Sequence, residues 1–124
     1  MSKFIYLIIG GIMGTVARYL LAGIIYEAAG TSFPYGTLAV NLFGCLLVGF
    51  FAAVSENKFL LDPNLRLLLM VGFCGAFTTF STFILETSNL IRDGETFRAF
   101  LNVIFSVLIG FIVFRVGVFI GDIL

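Results

Sequence analysis

The amino-acid sequence predicts an all-α integral membrane protein of four transmembrane helices, the third broken near its middle, that pairs as an antiparallel, dual-topology homodimer. Three observations lead there. Of 124 residues, 60% are apolar and only 11% charged, where soluble domains carry roughly 45–50% and about 25%. Seven Lys plus Arg and seven Asp plus Glu are too few to clothe a soluble surface. The charges are also spaced so that four apolar stretches of spanning length lie between them, and the basic ones are shared almost evenly between the two membrane sides.

A hydrocarbon core about 30 Å thick needs around 20 apolar residues per helix. Span one covers residues 4–26 and is interrupted only by Arg18. Span two, residues 35–55, lies within the uncharged interval between Glu27 and Glu56. Span three, residues 66–90, is built on the apolar interval between Arg66 and Glu86, with polar residues in its middle. Span four, residues 97–121, carries Arg115 near its end. The connectors are short: Gly, Thr, Ser and Pro fill residues 29–34, four charged or amide side chains precede Pro63, and Arg92-Asp93-Gly94-Glu95-Thr96 reads as a helix stop and turn. The whole chain is one transmembrane domain, 1–124. Lys3 before an apolar run has the outline of a secretory signal, but the length of the run, Arg18 and three further spans predict a retained helix.

The composition excludes much chemistry. His is absent and there are two Cys, so the usual metal-ligand sets and His-based acid or base catalysis are missing, and no enzyme is expected. Cys45 and Cys74 both fall inside apolar spans, as small packing residues rather than a disulfide. Net charge zero without a Lys/Arg cluster leaves no basic face for a nucleic acid.

Orientation follows Lys and Arg near the span ends. Lys3, Lys58, Arg66 and Arg115 stand on the side of the termini, against Arg92, Arg98 and Arg18 on the other, Arg18 lying about 21 Å along its helix and reaching outward along its stem. Four against three hardly fixes one topology, so insertion in both orientations, and an antiparallel homodimer, is the expectation. Gly10, Gly14 and Ala17 in span one and Gly117 and Gly121 in span four permit close helix approach, within one subunit or between two.

Span three holds the polar centre. Gly75 and the Thr and Ser residues after it weaken the helix, and a break there frees carbonyls that protein or an ion must satisfy. Phe80 and Phe83 share a face, with the hydroxyls of Ser81 and Thr82 beside them. Asn41 in span two, read from the residues alone, is an amide glueing helices by a hydrogen bond. Asn102 and Ser106 in span four extend a polar stripe or simply pack. Arg18 is either a snorkelling anchor or a cation facing an aqueous vestibule. Neutral donors and the positive edges of aromatic rings together suit a small anion.

The segments Gly10-Gly11-x-x-Gly14-x-x-x-Arg18-Tyr19, Pro34-x-Gly36-Thr37-Leu38-x-Val40-Asn41-x-x-Gly44 and Gly72-Phe73-Cys74-Gly75-x-x-Thr78-Thr79-Phe80-Ser81-Thr82-Phe83 resemble the Fluc family of fluoride ion channels. The resemblance covers spans one to three in order. It implies an antiparallel dimer in the cell inner membrane with two fluoride pores, each lined by both subunits, and a structural Na⁺ at the dimer interface. It makes Phe80 and Phe83 the pore phenylalanines, Asn41 the pore amide, Ser81 and Thr82 polar pore positions, the carbonyls of Gly75 and Thr78 the Na⁺ ligands, and Arg18 a vestibule residue. Family members carry a Tyr on the polar track of span four; this chain has none there, and Asn102, with Ser106, is the candidate substitute.

The implied function is passive export of cytoplasmic fluoride across the bilayer without ATP, redox or other organic cofactor. The alternative is a small proton-coupled multidrug exporter, which needs a titratable carboxylate deep in the membrane. Glu86, at the end of span three, is a poor substitute.

Overall fold

A computed structural model describes residues 2–124 as helices joined by short turns. Four helical stretches are long and apolar enough to cross a membrane: Ser2–Ala29, Tyr35–Asn57, Pro63–Arg92 and Thr96–Ile123, taken below as spans one to four.

Each end has a local cause. Span one stops where Gly30 turns left-handed (φ 87°) and its N–H bonds the Tyr26 carbonyl at 2.8 Å. Span three starts at Asp62, whose carboxylate accepts the Leu65 N–H at 2.8 Å ahead of Pro63 at the first helical position. Its end is a left-handed Gly94 (φ 81°), with the Glu95 N–H reaching back to the Leu90 carbonyl at 2.8 Å. The turn read from residues 92–96 is therefore a glycine-capped helix stop.

Span three is interrupted inside. An α-turn at Pro63–Arg66 widens into a π-helix over Leu67–Cys74, then one turn, Gly75–Phe77, precedes the break. Gly75 itself stays helical (φ −62°, ψ −37°), and the chain extends at Thr78 (φ −95°, ψ 156°) and Thr79 (φ −148°, ψ 118°) before Phe80–Arg92 resumes. The break thus falls three residues past the glycine. Two adjacent β-branched threonines favour extended backbone there, and their hydroxyls offer the chain hydrogen bonds that compete with the helix.

In an alternating four-span topology, spans one and three run parallel, as do two and four. These are the extensive contacts: span one lies on the π-helix before the break, and span two on the last part of span four. Glycines make both possible. A Cβ on Gly14 would meet the Phe73 carbonyl, and one on Gly117 would meet the Leu46 carbonyl, so neither helix could lie as close with a side chain there. The small-residue patterns of spans one and four therefore serve packing inside one subunit. Cys74 is buried among these contacts and Cys45 partly so, both as free thiols. Many large apolar side chains of spans one and four, among them Ile8, Val16, Leu108 and Phe119, remain exposed to lipid or to a further chain.

Candidate functional site

The break leaves two helix ends facing each other at membrane depth. On the lower side, the carbonyls of Gly75 and Thr78 receive no hydrogen bond among the described residues, because the Thr78 N–H is spent on Cys74 and the Thr79 N–H on Asn41. On the upper side, Thr79 caps the half-helix Phe80–Arg92 by accepting the Thr82 N–H at 3.2 Å. The N–H groups of Phe80 and Ser81 stay unpaired among the described residues. Free carbonyls at one end and free amides at the other are the negative and positive poles of two short dipoles. Cations are favoured at the first and anions at the second.

Asn41 holds this arrangement. Its Nδ2 donates to the Thr79 carbonyl at 3.0 Å and its Oδ1 accepts the Thr79 N–H at 2.8 Å, so one side chain satisfies both backbone groups of the extended residue. The interhelical amide bond expected from the residues alone is made, to the backbone of the break rather than to a side chain. One Nδ2 hydrogen stays free, and Asn41 shares a cavity of about 300 Å³ with Thr78, Thr79 and Phe80.

Arg18 also turns to the break. Its Nε donates to the Ala76 carbonyl at 3.0 Å, which makes it a partner for one of the freed carbonyls. The side chain borders a cavity of about 520 Å³ that Tyr26, Thr37, Thr79, Thr82 and Glu86 also line. Both readings left open by the sequence, a snorkelling anchor and a cation facing a vestibule, remain compatible with a side chain that borders this cavity.

Phe80 and Phe83 bring their ring centroids to 5.8 Å, tilted by 51°. Their surroundings differ: Phe83 is buried, whereas Phe80 is 73% exposed and Ser81 beside it is exposed too. The face of the break bearing Phe80 is open in one chain. Gly75 is likewise exposed, and nothing lies within 4 Å of where its Cβ would be. Asn102 is fully buried and donates to Thr87 Oγ1 at 2.9 Å, while Thr87 donates to the Phe83 carbonyl at 2.7 Å. Ser106 stands apart, its hydroxyl buried without a partner and its cavity shared with Cys45 and Phe114.

Sequence reasoning missed part of the site. Glu86 lies more than a helical turn inside span three, not at its end, and accepts a 2.8 Å hydrogen bond from the Tyr26 hydroxyl on Oε2. Tyr26 in turn lies 3.4 Å from Thr37 Oγ1 and from the Thr37 N–H. The other carboxylate oxygen is buried without a partner among the described residues. Glu86 joins the Arg18 cavity to a second of about 500 Å³, whose outer wall carries Asn89, Asp93 and Glu95. The spacing Thr79, Thr82, Glu86 is one helical stripe and was visible in the sequence; the Tyr26 partner, sixty residues away, was not. Among the described residues no group of three or more His, Cys, Asp or Glu side chains could hold a metal ion.

Comparison with known proteins places the chain in a family. The family described as CrcB-like protein, Camphor Resistance (CrcB), matches residues 5–118. The chain belongs to the CrcB family. Among CrcB relatives, it is 50% identical over 107 residues to a protein of Geobacter sulfurreducens named fluoride-specific ion channel FluC, covering 86% of each chain. A protein of the same name from Chlorobium phaeobacteroides is 47% identical over 108 residues, 87% of this chain and 84% of its own. One from Dehalococcoides mccartyi is 40% identical over all 124 residues, 95% of its own length. CrcB membership and the four spans describe a multi-pass membrane protein, in which Asn41 is bonded to the break in the third span and Phe80 and Phe83 follow it.

Proposed function

We propose that the protein is a passive, fluoride-selective channel that lets cytoplasmic fluoride leave across the inner membrane, working as an antiparallel dimer with two pores. The observation that carries this reading is the unpaired N-terminus of the half-helix Phe80–Arg92, opening beside the Phe80 and Phe83 rings. Fluoride is small and strongly hydrated, so a pathway must replace its water. Amides at a helix N-terminus, the hydroxyls of Ser81 and Thr82 and the free N–H of Asn41 supply donors, and phenyl edges supply a weak positive surface that does not trap the ion. No covalent bond is made or broken, so the protein is not an enzyme. Relatives named as fluoride channels, at 40–50% identity, support the same ion. The multidrug-exporter alternative draws no comparable support from these relatives, which are named as fluoride channels.

The dimer reading rests on the exposed face of the break. Phe80, Ser81 and Gly75 are uncovered in one chain, and a second copy in the opposite orientation supplies an apolar cover for Phe80. The free carbonyls of Gly75 and Thr78 fit a hard alkali cation, which prefers oxygen donors; they would hold Na⁺, whose charge would offset the negative helix end. Asn102, bonded to Thr87, extends the donor track in span four, Ser106 lies outside it, and Arg18 gathers anions at the vestibule.

Fluoride efflux from liposomes holding the purified protein tests the proposal. Rapid fluoride efflux with chloride at the background of protein-free vesicles is expected; no fluoride flux above that background sinks it. Phe80→Ile and Phe83→Ile are each expected to slow flux by about three- to tenfold, the equivalent of one aromatic contact of roughly 0.5–1.5 kcal/mol, with the dimer still eluting intact. Unchanged flux in both removes the phenylalanines from the pathway. Reporters fused to the C-terminus are expected to be detected on both membrane faces, and a single uniform location refutes dual insertion.

A further inference from the structure

Where span two ends and span three begins, a cavity of about 780 Å³ opens that the proposed pathway does not use. Ser55, Glu56, Phe59, Arg66, Met70 and Val71 line it. Ser55 lies within the last turn of span two and Arg66 in the first turn of span three, so the cavity sits at a membrane surface. Its rim carries one negative and one positive side chain, Glu56 and Arg66. Both are exposed, and neither enters a hydrogen bond or ion pair among the described residues. Ser55, only 6% exposed, closes the inner wall, so the charged groups open to a ligand are Glu56 and Arg66. Met70 follows Arg66 by one turn and Val71 is 59% exposed, so the lining changes from charged to apolar in the direction of the bilayer interior. Phe59, 85% exposed, holds a left-handed φ of 53° that a bulky residue rarely adopts, and the Leu60 N–H returns to the Val54 carbonyl at 3.3 Å, keeping the loop over the cavity.

We propose that this cavity binds one phospholipid whose headgroup ends in a primary ammonium. The order of chemistry along the wall is that of the lipid. Arg66 meets the phosphate, Glu56 the ammonium, and an acyl chain lies along Met70 and Val71. Opposite charges side by side favour a zwitterion. An anionic headgroup meets only repulsion from Glu56, and a trimethylammonium headgroup has no N–H to donate to it. The proposal needs only that the chain spans a bilayer and does not depend on which ion it conducts.

Native mass spectrometry of the purified protein, equilibrated with equal amounts of phosphatidylethanolamine, phosphatidylcholine and phosphatidylglycerol, reads the preference directly. Phosphatidylethanolamine is expected to be retained over the other two. Glu56→Gln is expected to cut that preference roughly threefold, the scale of an exposed charge pair. Arg66→Gln is expected to lower retention of all three lipids. Equal retention of phosphatidylethanolamine and phosphatidylcholine by the unaltered protein overturns the proposal, as do preference for phosphatidylglycerol and absence of bound lipid. Glu56→Gln changes an exposed side chain and keeps its shape, so it decides the matter even where Arg66→Gln fails to fold; an unchanged preference in it is equally fatal.

Discussion

Asn41→Ala is expected to abolish most fluoride flux and to lower thermal stability together. The wild-type amide makes two hydrogen bonds to the backbone of Thr79, at 2.8 and 3.0 Å, and no other side chain bonds either group. Each is worth roughly 0.5–1.5 kcal/mol net, and leaving the Thr79 N–H without a partner adds a desolvation cost of about 1–3 kcal/mol until the chain rearranges, while the Thr79 C=O, at the N-cap, keeps the first intrahelical bond. The Thr79 N–H would then turn back toward the Gly75 carbonyl and shift the helix end on which Phe80 is carried. A change of about 1.4 kcal/mol in the conducting arrangement is already tenfold, so flux is expected to fall by at least about tenfold. Asn41→Asp separates the two roles of the amide. Its carboxylate still accepts the Thr79 N–H, so the melting temperature is expected to fall less than in Asn41→Ala. Its negative charge beside the pathway repels an anion, so flux is expected to be lost nonetheless. Thermal melting in detergent and efflux from liposomes check both. Wild-type melting and flux in Asn41→Ala would show that the break holds without its clamp.

The second large effect concerns two glycines three residues apart. A Cβ at Gly14 meets the carbonyl oxygen of Phe73 and the Ala76 methyl, neither of which can move without displacing span three. Overpacking of this kind costs about 1–3 kcal/mol. Gly14→Ala is therefore expected to melt well below the unaltered protein, and to slow flux as well because Phe73 and Ala76 lead directly into the break. Gly11→Ala is the control on the same helix. Nothing lies within 4 Å of its Cβ position, and Ala is favoured over Gly in a helix interior by up to about 1 kcal/mol. It is expected to leave the fold of one chain unchanged or slightly firmer. Equal destabilisation by both substitutions would contradict the packing described for span one, while loss of the dimer in Gly11→Ala alone would place the second copy against that face.

Much of the fold was legible because bilayer physics acts on local sequence. Charge-free intervals mark spans since an unpaired charge in hydrocarbon is costly, and Gly94 marks a helix stop because it alone accepts the left-handed turn there. The break in span three was legible as a region but not to the residue. Gly75 was the expected weak point, yet it stays helical, since a glycine in a helix costs only about 1 kcal/mol. The extended residues are Thr78 and Thr79, and their conformation depends on Asn41, thirty-eight residues away from Thr79.

Composition, charge spacing and local pattern by themselves determined that the chain crosses a bilayer four times, where its turns fall, and that span three carries the polar centre. Tertiary structure alone decided what each polar group there faces: Asn41 on the Thr79 backbone, Arg18 on the Ala76 carbonyl, Tyr26 on Glu86. It also decided that the glycines of spans one and four close contacts inside one subunit. The physical reason is the range of the interactions. Transfer of a side chain between water and lipid is a property of the residue and its neighbours in sequence, whereas a hydrogen bond between helices depends on their rotation and depth, which only packing of the whole chain sets.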